Sequence, residues 1–266
     1  MDNFRNRDNQ FRRYKAHVNI VGTTQIHLRN PYIIAWWSAA FPGFGHLLLS
    51  KYLRGLMLFT WEVIVNNNAK INVAMVHTFC GDIQLAKEAL NIRWVLMYIP
   101  VYLFAIWDSY RTSVDMNKMY LLAERENAPF NSFTIGALEI NYLDKRKPVM
   151  SVIWSLFMPG LGHLYIDRIV TAFFSLIWTI IFLYFSNTLL AVHYLFLGKI
   201  AQATAVLDMQ WLMYMPSMWG FAVYDSYANT VENNKLFNSE QKDFLIKHYQ
   251  SPKFTIKKGM WSVEQP

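Results

Sequence analysis

The chain has 266 residues, of which 54% are apolar, 17% aromatic and only 16% charged, well below the roughly 25% charged residues of ordinary globular chains. A soluble surface is hard to build from this, and the single cysteine, Cys80, excludes an intrachain disulfide and a cysteine-based zinc site. The net charge of +7 suits an anionic membrane better than nucleic acid, because the aromatics lie in the hydrophobic stretches and do not interleave with the basic ones as base stacking requires.

In chain order, residues 1–31 form a hydrophilic, basic segment with no apolar core close behind it, unlike a cleavable secretory signal. A first membrane unit follows over 32–118, with hydrophobic segments at about 32–50, 52–66 and 94–107. A polar linker spans 119–148. The second unit, 149–235, has its segments at 149–165, 169–185 and 211–224, and a tail occupies 236–266. Within the tail, residues 239–250 predict a short helix presenting Phe244, Leu245 and Tyr249 to the bilayer or a partner.

The two units match at an offset of 117 residues. Pro42-Gly43-Phe44-Gly45-His46 falls on Pro159-Gly160-Leu161-Gly162-His163, Trp61 on Trp178, and Trp94 on Trp211. Asp108-Ser109-Tyr110 falls on Asp225-Ser226-Tyr227, Asn117-Lys118 on Asn234-Lys235, and Pro31 on Pro148. Met97-Tyr98-Ile99-Pro100 matches Met213-Tyr214-Met215-Pro216 after a one-residue slip. Agreement of this kind reads as tandem duplication. The polar segments 17–28, 132–143 and 253–264 also resemble one another and are rich in β-branched residues, which predicts a small β element.

Eighteen of the 25 lysines and arginines lie in 1–31, 111–148 and 226–266. Cationic loops are retained in the cytoplasm, so all three stretches belong on that side and each unit needs an even number of crossings. The economical solution makes the first segment of each unit a broken, re-entrant hairpin bent at Pro-Gly, followed by two full crossings. Six full crossings, with the units inverted, are the competing arrangement. The fold class expected is an all-α polytopic membrane protein.

Proline removes a backbone donor and glycine permits sharp bends, so Pro42, Gly43 and Gly45, with Pro159, Gly160 and Gly162, predict a break covered by the bundle interior. His46 and His163 read either as proton carriers or metal ligands, or as helix-end histidines bonded to a carbonyl freed by the break. Asp108 with Asn117, and Asp225 with Asn234, belong to the repeated motif D-S-Y-x-x-[ST]-V-[DE]-x-N-K. Each Asp pairs with Lys51 or Arg168, or with a histidine, at a cytoplasmic mouth, or else is an interfacial carboxylate beside an anchoring tyrosine. Glu62 is the one acid well inside an apolar stretch, and its counterpart is Thr179. It is read as part of a polar path with Asn66-Asn67-Asn68 or as a group solvated near the outer boundary.

With its Pro-Gly-x-Gly runs, the chain resembles bacterial membrane proteins that carry a PGxGQLY-type signature before a helical hairpin, and more loosely the two-transmembrane-helix domain family. The resemblance covers residues 33–58 and 150–175, with His46-Leu47-Leu48 and His163-Leu164-Tyr165 where Gln-Leu-Tyr is the family pattern. It implies a bacterial cytoplasmic membrane and says nothing of activity. No Walker loop, G-x-S-x-G elbow, dinucleotide fingerprint or zinc-protease spacing is found in the sequence.

The leading expectation is therefore a non-enzymatic scaffold, assembly or partner-docking component with both termini cytoplasmic. Its partners are the lipid bilayer and a protein or second copy, and it uses no cofactor, catalytic residue or metal. A small-solute or ion transporter using the broken helices is the alternative, and a membrane enzyme acting on lipid the second.

Overall fold

The computed structural model describes residues 12–137 and 139–250 and is mostly helical. The 253–264 segment lies outside the described residues. The chain opens with a hairpin of β1 (Ala16–Asn19) and β2 (Gly22–Gln25). Asn30 then caps α1 (Pro31–Ala40), its Oδ1 accepting from the Tyr32 N–H at 3.0 Å, with Pro31 at the first helical position where no donor is lost.

The Pro-Gly break falls where the sequence put it. Helix α1 stops at Phe41, Gly43 adopts φ +103°, and α2 (Phe44–Leu48) runs back. Arg29, just before α1, is bonded to Asn117, whereas the far end of α1 receives the Tyr102 hydroxyl on the Ala39 carbonyl at 2.7 Å. On the return leg, a Cβ on Gly45 would overlap Ser38 and the Ile34 carbonyl. Helices α1 and α2 thus enter and leave at the same end of the molecule.

Helix α3 (Tyr52–Ala69) then runs the length of the unit, and Lys70 in the left-handed region ends it. A helical hairpin of α4 (Ile71–Phe79) and α5 (Ile83–Ala89) covers the far end. Helix α6 (Ile92–Glu126) returns, with Pro100 in its interior, and Asn127 at φ +42° stops it.

The same order recurs in β3 (Phe133–Ile135), β4 (Ile140–Tyr142), α7 (Pro148–Phe157), α8 (Leu161–Tyr165), α9 (Ile169–Phe185), α10 (Thr188–Phe196) and α11 (Ile200–Val206). It closes with α12 (Met209–Leu212) and α13 (Met215–Tyr249). Left-handed residues also recur 117 positions apart: Gly43 with Gly160, Ser50 with Asp167, Lys70 with Asn187 and Gly81 with Gly198. So do bonds between distant backbone groups, as in Asn91 N–H to the Ala69 carbonyl and Asp208 N–H to the Ser186 carbonyl, both 3.1 Å.

Several boundaries differ from the sequence reading. Helix α6 continues past residue 118 to Glu126, and α13 past 235 to Tyr249, so the 239–250 segment is the end of a long helix. The one-residue slip around Pro100 and Pro216 coincides with the interruption between α12 and α13. In unit two Pro216 sits in the first turn of a helix, where its missing donor costs nothing. In unit one Pro100 lies inside a continuous helix. The two described strand-forming segments do not share one sheet, since each of the two makes its own two-stranded hairpin. The hairpins meet instead through Thr134 Oγ1 donating to the Val18 carbonyl at 2.6 Å and Asn141 Nδ2 to the Asn19 carbonyl at 2.7 Å.

Both units point the same way. One end gathers the two hairpins, the ends of α6 and α13, the Arg13–Glu126 ion pair, and the Gln25–Asn233 bond at 2.7 Å. The opposite end holds α4, α5, α10 and α11. Between them the units share one aromatic core, in which Phe44 stacks on Phe221 with centroids 4.1 Å apart and Phe59 meets Phe174 and Trp178. Such contacts add about 0.5–1.5 kcal/mol each beyond area burial.

Polarity is distributed unusually. Ser38, Ser113, Ser155, Ser175, Thr179 and Thr230 are buried, while Leu96, Leu103, Trp107, Ile177, Phe185 and Phe196 are exposed. No single described helix is long and apolar enough to cross a membrane. Two bent pairs are: Ile83–Ala89 with Ile92–Glu126, bent 90°, and Ile169–Phe185 with Thr188–Phe196, bent 61°.

Candidate functional site

Three polar constellations interrupt the apolar body. The first recurs in both units, because the α1–α2 reversal turns His46 inward against the middle of α6, where Asp108 stands. His46 Nε2 lies 3.0 Å from Asp108 Oδ2, and Arg54, one turn into α3, donates to the same oxygen at 2.5 Å. In unit two His163 Nε2 is 2.9 Å from Asp225 Oδ2 and Arg168 donates at 2.6 Å.

Two expectations are corrected by this geometry. The histidine partner is the carboxylate that one reading of the Asp motif offered, and not a freed backbone carbonyl, because the α2 return stroke carries the ring across to the next long helix. The cation in unit one is Arg54 and not Lys51, because Lys51 is the exposed residue preceding α3 whereas Arg54 lies one turn along it. The pairing of Asp225 with Arg168 is as expected.

The two nodes are not equivalent. Asp225 is fully buried and Arg168 is 3% exposed, whereas the Arg54 side chain is 53% exposed. Asp225 also accepts from Asn229 Nδ2 at 2.6 Å, and Arg168 Nη2 donates to the Tyr52 hydroxyl of unit one at 3.0 Å. Charge-assisted bonds of this kind hold geometry firmly. The second node thus ties three helices of its own unit to the first unit.

Asn117 and Asn234 form the second constellation, and each brackets a main chain. Asn117 Oδ1 accepts from the Arg29 N–H at 2.9 Å while its Nδ2 donates to the Arg29 carbonyl at 2.8 Å. Asn234 does the same to Arg146 at 2.9 and 2.7 Å. These carboxamides clamp the extended residues that lead into α1 and α7.

The third constellation exists once. Glu62 is 3% exposed, and its Oε1 accepts from Asn66 Nδ2 at 2.9 Å. Asn66 Nδ2 also reaches Asn72 Oδ1 at 3.1 Å, and Gln210 Nε2 donates to Asn66 Oδ1 at 2.9 Å. Asn72 Nδ2 closes the loop on the Gln210 carbonyl at 2.8 Å. Glu62 is thus buried at the edge of a network that reaches the other unit through Asn66 and Asn72, and is not solvated at an outer boundary. Thr179, Leu183, Leu189 and Arg93 stand at the matching positions, so no equivalent forms in unit two.

Sequence reasoning missed Tyr52, Arg54, Asn72 and Gln210. Gln210 carries no motif, and its counterpart Arg93 gives no hint. Arg54 had a usable signal, since it lies three positions beyond Lys51 and so one helical turn away.

At the end that gathers the hairpins, a cavity of about 250 Å³ lies between the α6–β3 connection and the last turns of α13, lined by Lys15, Phe130, Leu236, Glu240 and Phe244 among others. Nearby, burial drives the His27 imidazole down to about 4, helped by Arg29 and opposed by Glu232. Among the described residues no group of three or more His, Cys, Asp or Glu is arranged to hold a metal ion. Compared with protein-family models, curated proteins and solved structures, the chain matches none.

Proposed function

We propose that the chain is a polytopic integral membrane protein built by tandem duplication, and that it works as a non-enzymatic scaffold offering one polar end to a partner. The observation that carries the membrane half of this reading is the inverted polarity. Exposed Leu, Ile, Phe and Trp side chains surround helices that bury many Ser, Thr, Asn and His side chains alongside the aromatic core, the arrangement expected where lipid is the solvent.

Length alone fits four crossings, whereas length and apolarity together are met, among the described residues, only by the bent pairs α5–α6 and α9–α10. Helix α3 has 18 residues and α9 has 17, or about 27 Å at 1.5 Å per residue, close to the ~30 Å hydrocarbon core. Helices α6 and α13 have 35 residues each and span about 52 Å, so the polar half of each projects beyond the bilayer. The α1–α2 and α7–α8 hairpins are then re-entrant. The basic ends favour the cytoplasmic side, and the resemblance to PGxGQLY-type proteins favours a bacterial cytoplasmic membrane.

The docking half rests on what projects. The last turns of α13 expose Phe244, Leu245, Ile246 and Tyr249 beyond the apolar belt, next to the 250 Å³ cavity. A deletion of residues 237–266 tests this, because it spares Ser226, Asn229 and Thr230, which are buried in the body. In a detergent pull-down the intact chain should recover a protein or a second copy that the truncated chain, still inserted, does not. Identical recoveries would remove the docking reading.

A transporter is the second reading, favoured by the buried Glu62 cluster at the junction of the units. It requires Glu62→Gln to abolish flux of a solute or ion in reconstituted vesicles while leaving the fold intact. Unchanged flux excludes that version.

A further inference from the structure

One face of α13 carries a slot made of two adjoining hollows that share Tyr224 and Tyr227. Its lower part is an open, wholly apolar groove of about 480 Å³, walled by Val152 and Leu156 of α7 and by Trp219 and Val223 of α13. Tyr224 and Tyr227 belong to this groove and also to a crevice of about 280 Å³ above it, which is lined by His27, Arg29, Asn30 and Glu232. Residues 220, 224, 227 and 231 of α13 follow this line over about 16 Å.

The charges at the upper end are unequal. Arg29 is fixed through its backbone by Asn117, yet its guanidinium has no ion pair among the described residues. Glu232, the acid lining the crevice, faces His27 at 3.7 Å and is held by Lys235 at 2.7 Å. Asp225 lies deeper and is matched by Arg168. One positive charge is left over. At the corresponding position of the other unit Arg146 is paired with Asp167 at 2.5 Å and lies over the Tyr165 ring, so a guanidinium that feels Asp225 and Glu232 without a direct ion pair to either is particular to this slot.

We propose that the slot holds one anionic phospholipid, with its phosphodiester on Arg29 at the tyrosine level and one acyl chain along Trp219 and Val223. A guanidinium recognises phosphate by a charge-assisted fork, tyrosines sit at headgroup depth, and the groove below offers no polar atom to anything but a hydrocarbon chain. The proposal rests on the membrane reading given above.

The test is native mass spectrometry of the full chain released from detergent micelles containing phosphatidylglycerol or phosphatidylcholine, with inorganic phosphate as a third probe. The wild type should retain one phosphatidylglycerol, and phosphatidylcholine about tenfold more weakly. Arg29→Gln and the groove-filling Val223→Trp should each reduce retention of phosphatidylglycerol about tenfold, with melting in detergent checked to show that both remain folded. Equal retention by wild type and both folded variants would overturn the proposal, as would full displacement by inorganic phosphate, which marks an anion site without a chain groove. Flotation with vesicles separates the two readings: a chain that floats but shows no lipid preference loses only this site, and one that does not float loses the membrane reading as well.

Discussion

Replacing Asp225 and Asp108 by alanine, separately, tests whether two positions equivalent in sequence differ in energy as their surroundings require. Asp225→Ala strands the Arg168 guanidinium, 3% exposed, with the Tyr52 hydroxyl as its remaining hydrogen-bond partner. Breaking a buried ion pair by removing one member costs about 3–5 kcal/mol. Asp108→Ala releases Arg54, half of whose side chain is already in solvent, so that pair contributes only about 0–1 kcal/mol. The histidine bond, to His46 or His163, is lost in both variants and adds about 1–2 kcal/mol to each. The second unit should therefore suffer by at least ~2 kcal/mol more than the first. Denaturant titration in mixed micelles, followed by tryptophan fluorescence, reads the difference directly. The double variant Asp225→Ala/Arg168→Met should recover part of the loss, because the uncompensated charge is gone. Equal costs at the two aspartates, or a double variant as unstable as the sum of its parts, would refute this reasoning.

Gly43→Ala should cost more than about 2 kcal/mol, because φ is +103° and the added Cβ would overlap the Gly55 carbonyl oxygen, whereas Gly81→Ala at φ +87° has open space and should cost only about 1 kcal/mol; thermal melts of the two variants compare them. Asn117→Ala and Asn234→Ala should destabilise about equally, by about 1–3 kcal/mol each, since each removes the same two bonds to a main chain, and unequal melts would contradict the matched geometry. His27 gives a pH signature. Its folded value of about 4 lies below the ordinary 6.5, so the unfolded chain binds more protons in between, and stability falls as pH drops from about 6.5 to about 4. The loss should approach ~3 kcal/mol, and His27→Gln should flatten that portion of the melting-versus-pH curve. A wild-type slope retained in the variant would assign the dependence to another group.

Much of this architecture is legible in the sequence where a residue type has a backbone consequence. Gly43 and Gly160 mark reversals because few other residues take their φ, and Pro31 and Pro148 mark helix starts. The repeated Asp-Ser-Tyr motif led to the right carboxylates. Arg168 was legible as the partner of Asp225, but the cation that Asp108 would find was not. Asp108 takes Arg54 because α3 begins one turn before it, a matter of where α2 ends. Asn117 and Asn234 bind main chain, which leaves no mark in residue identity. Gln210 joins the Glu62 cluster only because the second unit packs against the first, and no local pattern in the 117-residue offset announces that contact. The interruption between α12 and α13 was visible only as a slip in the alignment of the two copies.

The central claim is that the apolar belt sits in lipid with the hairpin end and the α4–α5 end on opposite faces. Impermeant maleimide labelling of single cysteines in a Cys80→Ser background tests it, in sealed vesicles of both orientations. Phe130→Cys and Lys247→Cys should react from one face, and Lys70→Cys and Lys199→Cys from the other. Labelling of positions 130 and 247 from different faces, or a purified chain that stays dispersed without detergent, would contradict it.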